Sequence, residues 1–436
     1  MGKKVAFVIH NMVLFYTIKN LINELSIAGY RVDLYVSDNM SAPGWKEMAV
    51  STYNHLKNIP LASNILKHAY EVDPNLVYDL AFYPAPFYNP EVSSRYKIRY
   101  QYGIAKPAFN FSAETLYFDC CLCYGAYDYQ FLRHYCNSEI IGNLKYAHLT
   151  DEEIDENSTK QRLDLEHLII LYLPTYGEDS LFNDTIQELS RLPSSWQIMV
   201  KLHHGTEFLE EQRRMLVEGS IMNIELYGQS EDLEQLLYKS NVVISEGSSA
   251  CFDAIYFCKP LIISERADVQ YFYGEEPVTS QLSTTYGINS FRVGNIKLED
   301  LIIKTILNVD YVKHIKQIRE YFFPIRGRNT LLKTLEIIDQ FATKIPDNDY
   351  MTTKQAIIDA LKDRIVKKQE ALLKLHELES LKKVTDTQVE IIKQLEIELE
   401  NTRNELDCIK ASLLGRLVRL SQRVRGIISQ GVRFKR

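Results

Sequence analysis

Residues 241–264, NVVISEGSSACFDAIYFCKPLIIS, constrain the fold more than any other stretch of the chain. Residues 241–245 read as a buried strand. A polar turn follows at Glu246, Gly247, Ser248 and Ser249, then a short helix over 250–257 and a second strand over 260–263. Continuous apolar strands joined through a helix are what a parallel sheet buried on both faces requires. Gly247 lets the backbone bend where a side chain would clash. Ser248 and Ser249 then stand at a helix N-terminus, where N–H groups and the dipole favour an anion. The same serines would serve equally as an ordinary cap on a Rossmann-type helix. Asp253 lies one turn into that helix.

The rest of the chain repeats this grammar. Residues 4–9 read as a strand, 14–28 as a helix and 32–36 as a second strand, an opening βαβ unit. It lacks GxGxxG, so dinucleotide binding through that fingerprint is not expected. Strands are expected at 80–83, 98–102 and 120–124 and a helix at 127–135, with 140–142 ending a first domain, 1–149. The acidic stretch TDEEIDENSTK has no apolar periodicity and reads as a linker or surface loop within 150–165. A second αβ series, 166–341, carries strands at 168–173, 197–202, 224–227, 242–245 and 261–263. Helices are expected near 185–192, 208–218, 230–239 and 298–309. The class is α/β. Two Rossmann-like domains facing a cleft are a GT-B-like architecture, and ligands then bind at the carboxyl ends of the strands.

Length agrees with this, since 436 residues exceed a single core. The formal charge of −7 gives no reason to expect nucleic acid. The seven cysteines are odd in number; Cys120, Cys121 and Cys123 lie in an apolar run without the spacing of a zinc site. A reducing, cytoplasmic setting follows. The apolar run at the N-terminus is short and interrupted by His10 and Asn11, so it reads as a strand and not a signal peptide. No stretch has the length and apolarity to span a bilayer. The 28 tyrosines, many in the first third, suit a cleft with amphipathic walls.

Beyond residue 341 the pattern changes. Leu395, Leu399, Thr402, Leu406, Ile409 and Leu413 alternate in steps of four and three, an a/d seam that predicts a coiled coil over 352–410. Residues 411–436 carry no acidic residue and interleave arginines with leucines. A basic amphipathic helix of this kind suits an anionic membrane surface, although the arginines would also be solvated on a continuing seam.

Each strand end in the second domain carries a polar cluster. Thr175 follows the first strand, Lys201 and His203 close the next, and Glu246 to Ser249 follow the fourth. Lys201 and His203 alternate, so both can point to one side of the strand. A lysine and a histidine facing a helix N-terminus would hold a diphosphate. A lone KxH is weak evidence; its co-occurrence with the other strand-end clusters is what points to a site. No DxD-type metal motif stands at a strand end, and metal independence is expected. His10, at the end of the first strand, is the candidate general base, and it would equally serve as a polar residue closing a strand.

At this point the chain resembles the CDP-glycerol glycerophosphotransferase family, of teichoic-acid polymerase and primase type. The likeness rests on LPTYGED (173–179), VKLHHGTE (200–207), residues 227–263 and ADVQYFYGEE (267–276), with YQYGIAK (100–106), YGAYD (124–128) and IIGNLKY (140–146) in the first domain. It implies a GT-B fold and a cytoplasmic transferase at the inner membrane surface that uses a CDP-activated donor. By that likeness Lys201 and His203 contact donor phosphates, Ser248 and Ser249 cap them, Glu246, Gly247 and Asp253 order the turn or meet the nucleotide, and Thr175 lines the opposite wall. The family's Trp-His-Gly reads Gln101, Tyr102, Gly103 here, so its first-domain histidine is absent; Tyr102 would position the acceptor. The expected activity is transfer of glycerol phosphate or a related group to a polymer or lipid-linked acceptor hydroxyl, without a cofactor. A nucleotide-sugar glycosyltransferase of capsule or O-antigen assembly, and a non-catalytic coiled-coil scaffold with an inactive GT-B part, are the alternatives. The coiled coil implies a homo-oligomer or a partner enzyme.

Overall fold

The computed structural model describes residues 3–37, 45–59, 65–86, 91–105, 110–159, 163–175, 180–203, 223–228, 231–265, 278–292, 294, 297–381 and part of 400–414. The described chain forms two compact units. The first holds residues 1–112 and 118–345, the second 113–117 and 346–436.

The first unit contains two wholly parallel sheets. The first lobe has seven strands: β1 Lys4–Ile9, β2 Arg31–Val36, β3 Ile65–His68, β4 Tyr78–Tyr83, β5 Ser94–Tyr100, β6 Cys120–Cys123 and β7 Asn137–Ile140. Their order across the sheet is β3-β2-β1-β4-β5-β6-β7. The second lobe has β8 Ile169–Leu173, β9 Gln197–Lys201, β10 Ile224–Tyr227, β11 Val242–Ser245, β12 Leu261–Glu265 and β13 Asn289–Arg292, ordered β10-β9-β8-β11-β12-β13. Both orders reverse direction once, between β1 and β4 and between β8 and β11. A doubly wound sheet opens a crevice at such a switch point, outside the carboxyl ends of its strands. The central strands VAFVI, ILYL and VVIS are apolar at almost every position because helices cover both faces of each sheet.

The expected strands are present, with β3, β7 and β13 in addition. The helices include α1 Met12–Ile27, α2 Trp45–Leu56, α3 Ala126–Leu132 and α4 Asp151–Thr159. The acidic stretch read as a loop is therefore helical over α4: Asp151, Glu152 and Glu153 fall in its first turn, where acidic side chains complement the dipole. The second lobe adds α5 Phe182–Leu189, α6 Leu233–Lys239, α7 Ala250–Tyr256, α8 Val278–Thr284 and α9 Leu298–Leu307. The expected helix at 208–218 lies outside the described residues.

After α9 the chain goes back to the first lobe. Helix α10, Val309–Phe322, packs against both α3 and α7, and α11, Gly327–Thr343, packs against α1 and β4. At the crossing, the Gly327 N–H donates to the Tyr256 hydroxyl at 2.9 Å and the Arg328 N–H to the Leu149 carbonyl at 2.8 Å. Lys3 pairs with Asp339 farther along α11. Gly142 turns the chain here with φ +90°, and a Cβ on it would run into the Ile325 carbonyl and Thr330.

In the second unit, α12, Asn348–Leu381, packs on the 3-10 turn Ala113–Tyr117, and Lys354 Nζ donates to the Leu116 carbonyl at 3.0 Å. Of the predicted seam, Leu395, Leu399 and Ile409 lie outside the described residues, as does almost all of 411–436. No helix among the described residues is long and apolar enough to cross a membrane.

Gly142→Ala is expected to destabilise the first unit by more than about 1 kcal/mol, the strain of a side chain held at positive φ before any clash. Thermal denaturation reads this directly; an unchanged Tm would show that the crossing relaxes freely.

Candidate functional site

A cleft of about 360 Å³ opens between the two lobes at the carboxyl ends of both sheets. From the first lobe it is lined by Tyr16 and Lys19 of α1, by Tyr102 and Gly103 after β5, and by Asn143, Lys145, Tyr146 and His148 after β7. The second lobe supplies Thr175, Lys201, His203, Gly247, Ser248, Ser249 and Asp253, with Glu231 to Glu234 at the start of α6.

The second-lobe wall is built around a buried carboxylate. Glu246 is 1% exposed. The Tyr172 hydroxyl donates to its Oε1 and the Thr175 N–H to its Oε2, the latter at 3.0 Å. Burial raises the carboxyl above its ordinary range, against the pull of those donors. Glu246 thus ties the turn after β8 to the turn after β11, across the switch point. It does not line the cleft, so the expected contact between Glu246 and donor is replaced by a bracing role. The reason is reach: Tyr172 and the Thr175 amide draw its side chain inward.

The turn it holds presents the two serines. The Ser248 Oγ accepts from the Ala250 N–H at 3.3 Å, while Ser249, at the cap position, makes no side-chain cap bond. Gly103 approaches so closely that a Cβ on it would collide with the Ser249 side chain. The glycine brings the backbone beside Tyr102 against the serine turn, which no other residue would allow.

Lys201 and His203 both line the cleft. Lys201 ends β9, and its Nζ donates to the Gly228 carbonyl at 2.5 Å. His203 lies two residues beyond the Cα of Lys201, already outside the strand. Residues 204–207, 176–179, 229–230 and 267–276 of the quoted motifs lie outside the described residues.

Asp253 faces the other lobe. Lys145 Nζ is 3.2 Å from its Oδ2, and the Tyr146 hydroxyl donates to Oδ1 at 2.8 Å. Tyr146 also stacks on Tyr256, with centroids 4.9 Å apart. The 3-10 turn Leu144–Tyr146 therefore docks on α7 and joins the lobes at the floor of the cleft. Near it, Asp128 accepts from the Tyr124 and Gly125 N–H groups at 2.7 and 2.9 Å, and full burial pushes its carboxyl up to about 6.

His10 is placed away from the cleft. It is 5% exposed, with Nε2 2.9 Å from the Asn11 amide. The chain enters α1 immediately after β1, with Asn11 as the cap, and His10 is folded beneath that turn. The expectation that it faces the cleft is corrected.

Sequence reasoning passed over Lys145, His148 and Glu234. His148 Nε2 lies 3.0 Å from Glu234 Oε2, and its Nδ1 lies 3.3 Å from Asn20 Nδ2. Lys145 was legible in IIGNLKY; His148 had no motif around it. A double-mutant cycle on Lys145→Met and Asp253→Asn is expected to give a coupling of about 1 kcal/mol, the usual scale for a partly buried charged hydrogen bond. Urea denaturation of the four proteins measures it, and additive effects would show that the joint rests on the tyrosine packing alone.

No family model matches the sequence, and no curated protein matches it. Solved structures do. A variant of the wall teichoic acid polymerase TagF is 14% identical, matches 78% of this chain and 89% of its own, and superposes with a TM-score of 0.51. A TagF variant soaked with CDPG is 15% identical over 78% of this chain and 88% of its own, with a TM-score of 0.50. A Listeria monocytogenes protein assigned as a UDP-N-acetylglucosamine 2-epimerase is 11% identical over 80% of this chain and 99% of its own, also at 0.50. Neighbours of such different reactions identify a shared scaffold and not a shared chemistry. The chain has the GT-B fold, and in structure it resembles the wall teichoic acid polymerase.

Proposed function

We propose that the chain is a transferase of bacterial surface-polymer synthesis that moves glycerol phosphate or a related group from a CDP-activated donor to an acceptor hydroxyl. The observation that carries this reading is the convergence of Lys201, His203, Ser248 and Ser249 on one cleft, at the switch point of the second sheet. A diphosphate is the ligand such a set fits: two nitrogen donors on one side, hydroxyls and backbone amides on the other. The likeness to TagF structures, one soaked with CDPG, supports the choice of donor.

In this reading the donor diphosphate lies across the end of β9 and the serine turn. The acceptor hydroxyl enters from the first lobe, past Tyr102, and attacks phosphorus. The P–O bond to the nucleotide breaks, and the departing phosphate carries the electron pair. Its growing charge is met by Lys201, His203 and the serine turn, which are fixed before reaction. Helix α7 is only seven residues long, so its dipole is a minor contributor beside the side chains. Gly103 and Glu246 keep the two walls in register. A nucleotide sugar is the second donor class, and the Listeria likeness favours it.

His203→Ala is expected to lower turnover by about 100-fold or more while leaving the melting transition in place, since it removes charge stabilisation and not packing. The assay is nucleotide release from a panel of CDP-glycerol, CDP-ribitol, CMP-sugar and UDP-sugar donors. Release from UDP-sugars alone would replace the CDP reading, and turnover equal to the parent would remove His203 from the reaction.

The basic, acid-free segment 411–436 is the proposed membrane anchor, and 352–410 the proposed site of self-association or docking on a partner enzyme. Removing 411–436 should release the protein from sedimented vesicles containing anionic lipid. Sedimentation equal to the full chain would assign the anchor elsewhere.

A further inference from the structure

Among the described residues of the first lobe, His10 does not line the cleft and Tyr102 stands where the related family carries histidine, so neither expected residue offers the acceptor hydroxyl a histidine base. We propose that His148, oriented by Glu234, is the general base. This rests on the transferase reading above.

Among the described residues His148 and His203 are the histidines that line the cleft, and they stand on opposite lobes. The His148 side chain is 40% exposed, open enough to meet an acceptor. Glu234 is 10% exposed, and its carboxylate lies 3.0 Å from Nε2. A carboxylate can only accept there, so Nε2 carries the proton and Nδ1 the lone pair. The Asn20 amide approaches Nδ1 at 3.3 Å, a long bond that an acceptor hydroxyl can replace. The arrangement is a base held in one tautomer by a third group, the logic of carboxylate–histidine pairs in hydrolases, with the ring nitrogens exchanged.

The step balances. The acceptor O–H gives its proton to Nδ1 as the new O–P bond forms. The donor's P–O bond breaks, and its electrons leave on the nucleotide phosphate. The imidazolium, stabilised by Glu234, returns its proton to water through the open side of the ring.

The pair also spans the lobes. His148 follows β7 of the first lobe, whereas Glu234 sits in the first turn of α6 in the second. The base is complete only where the two lobes meet, so acceptor activation depends on their docking.

The test uses the full chain with His148→Ala and Glu234→Gln. For His148→Ala, kcat should fall by about 100-fold or more, the usual contribution of a general base, with the donor KM within about threefold of the parent. Added imidazole should restore part of the rate. A kcat within about threefold of the parent, or a loss matched by a lost thermal shift with CDP, would overturn the assignment. Nitrogen NMR of histidine-labelled protein gives a readout independent of turnover. It should show His148 protonated at Nε2 in the parent and not fixed there in Glu234→Gln. A ring protonated at Nδ1 in the parent would overturn the proposal even if transfer is observed. A parent that transfers nothing from any donor, yet shows the Nε2 tautomer, would sink the transferase reading and this role while leaving the pair itself standing.

Discussion

A single buried carboxylate sets the geometry on which the second wall of the cleft depends. Glu246 holds the Tyr172 hydroxyl with one oxygen and the Thr175 amide with the other. These partners belong to β8 and the turn after it, while Glu246 leaves β11. The neighbouring strands of the switch point are thereby fastened at their carboxyl ends, where a doubly wound sheet otherwise splays apart. Thr175 on one lip of the cleft and Gly247 to Ser249 on the other are tied together by this bond pair. An unpaired carboxylate at that depth would cost several kcal/mol of desolvation, roughly the scale that makes such groups either well bonded or neutral.

The first wall is positioned by contact with the second. Lys145 and Tyr146 reach Asp253, Gly103 lies against Ser249, and His148 reaches Glu234. These contacts join residues far apart in sequence, Lys145 and Asp253 by 108 positions. Their common feature is that each pairs the end of a first-lobe strand with the start of a second-lobe helix. The cleft is thus a product of tertiary docking, and neither lobe contains it alone.

That origin explains what could be read from the sequence. The strand–turn–helix–strand of 241–264 was legible because apolar runs, a glycine and paired serines are local signals, and the α/β class followed from the alternation of elements. Lys201, His203, Ser248 and Ser249 were legible because strand ends in a parallel sheet share a rim. Glu246 looked the same in sequence as the cleft-lining residues that follow it; the Tyr172 hydroxyl, from a different strand, draws it inward. His10 misled for the converse reason: it ends a strand, yet it is buried beside the Asn11 cap of α1 and does not line the cleft. The helix over Asp151–Thr159 has no apolar stripe to announce it and is favoured by acidic residues at its start. His148 required a partner from another lobe before it meant anything.

The return of α10 and α11 to the first lobe has a mechanical consequence. The lobes are joined by the chain twice, once on the way out near α4 and again at the crossing by Gly327. A body pinned at two points keeps one easy rotation, about the line through the pins, and resists twisting or sliding. Two joins in place of one hold the lobes in a single register, so the side chains of the two walls meet in fixed pairs.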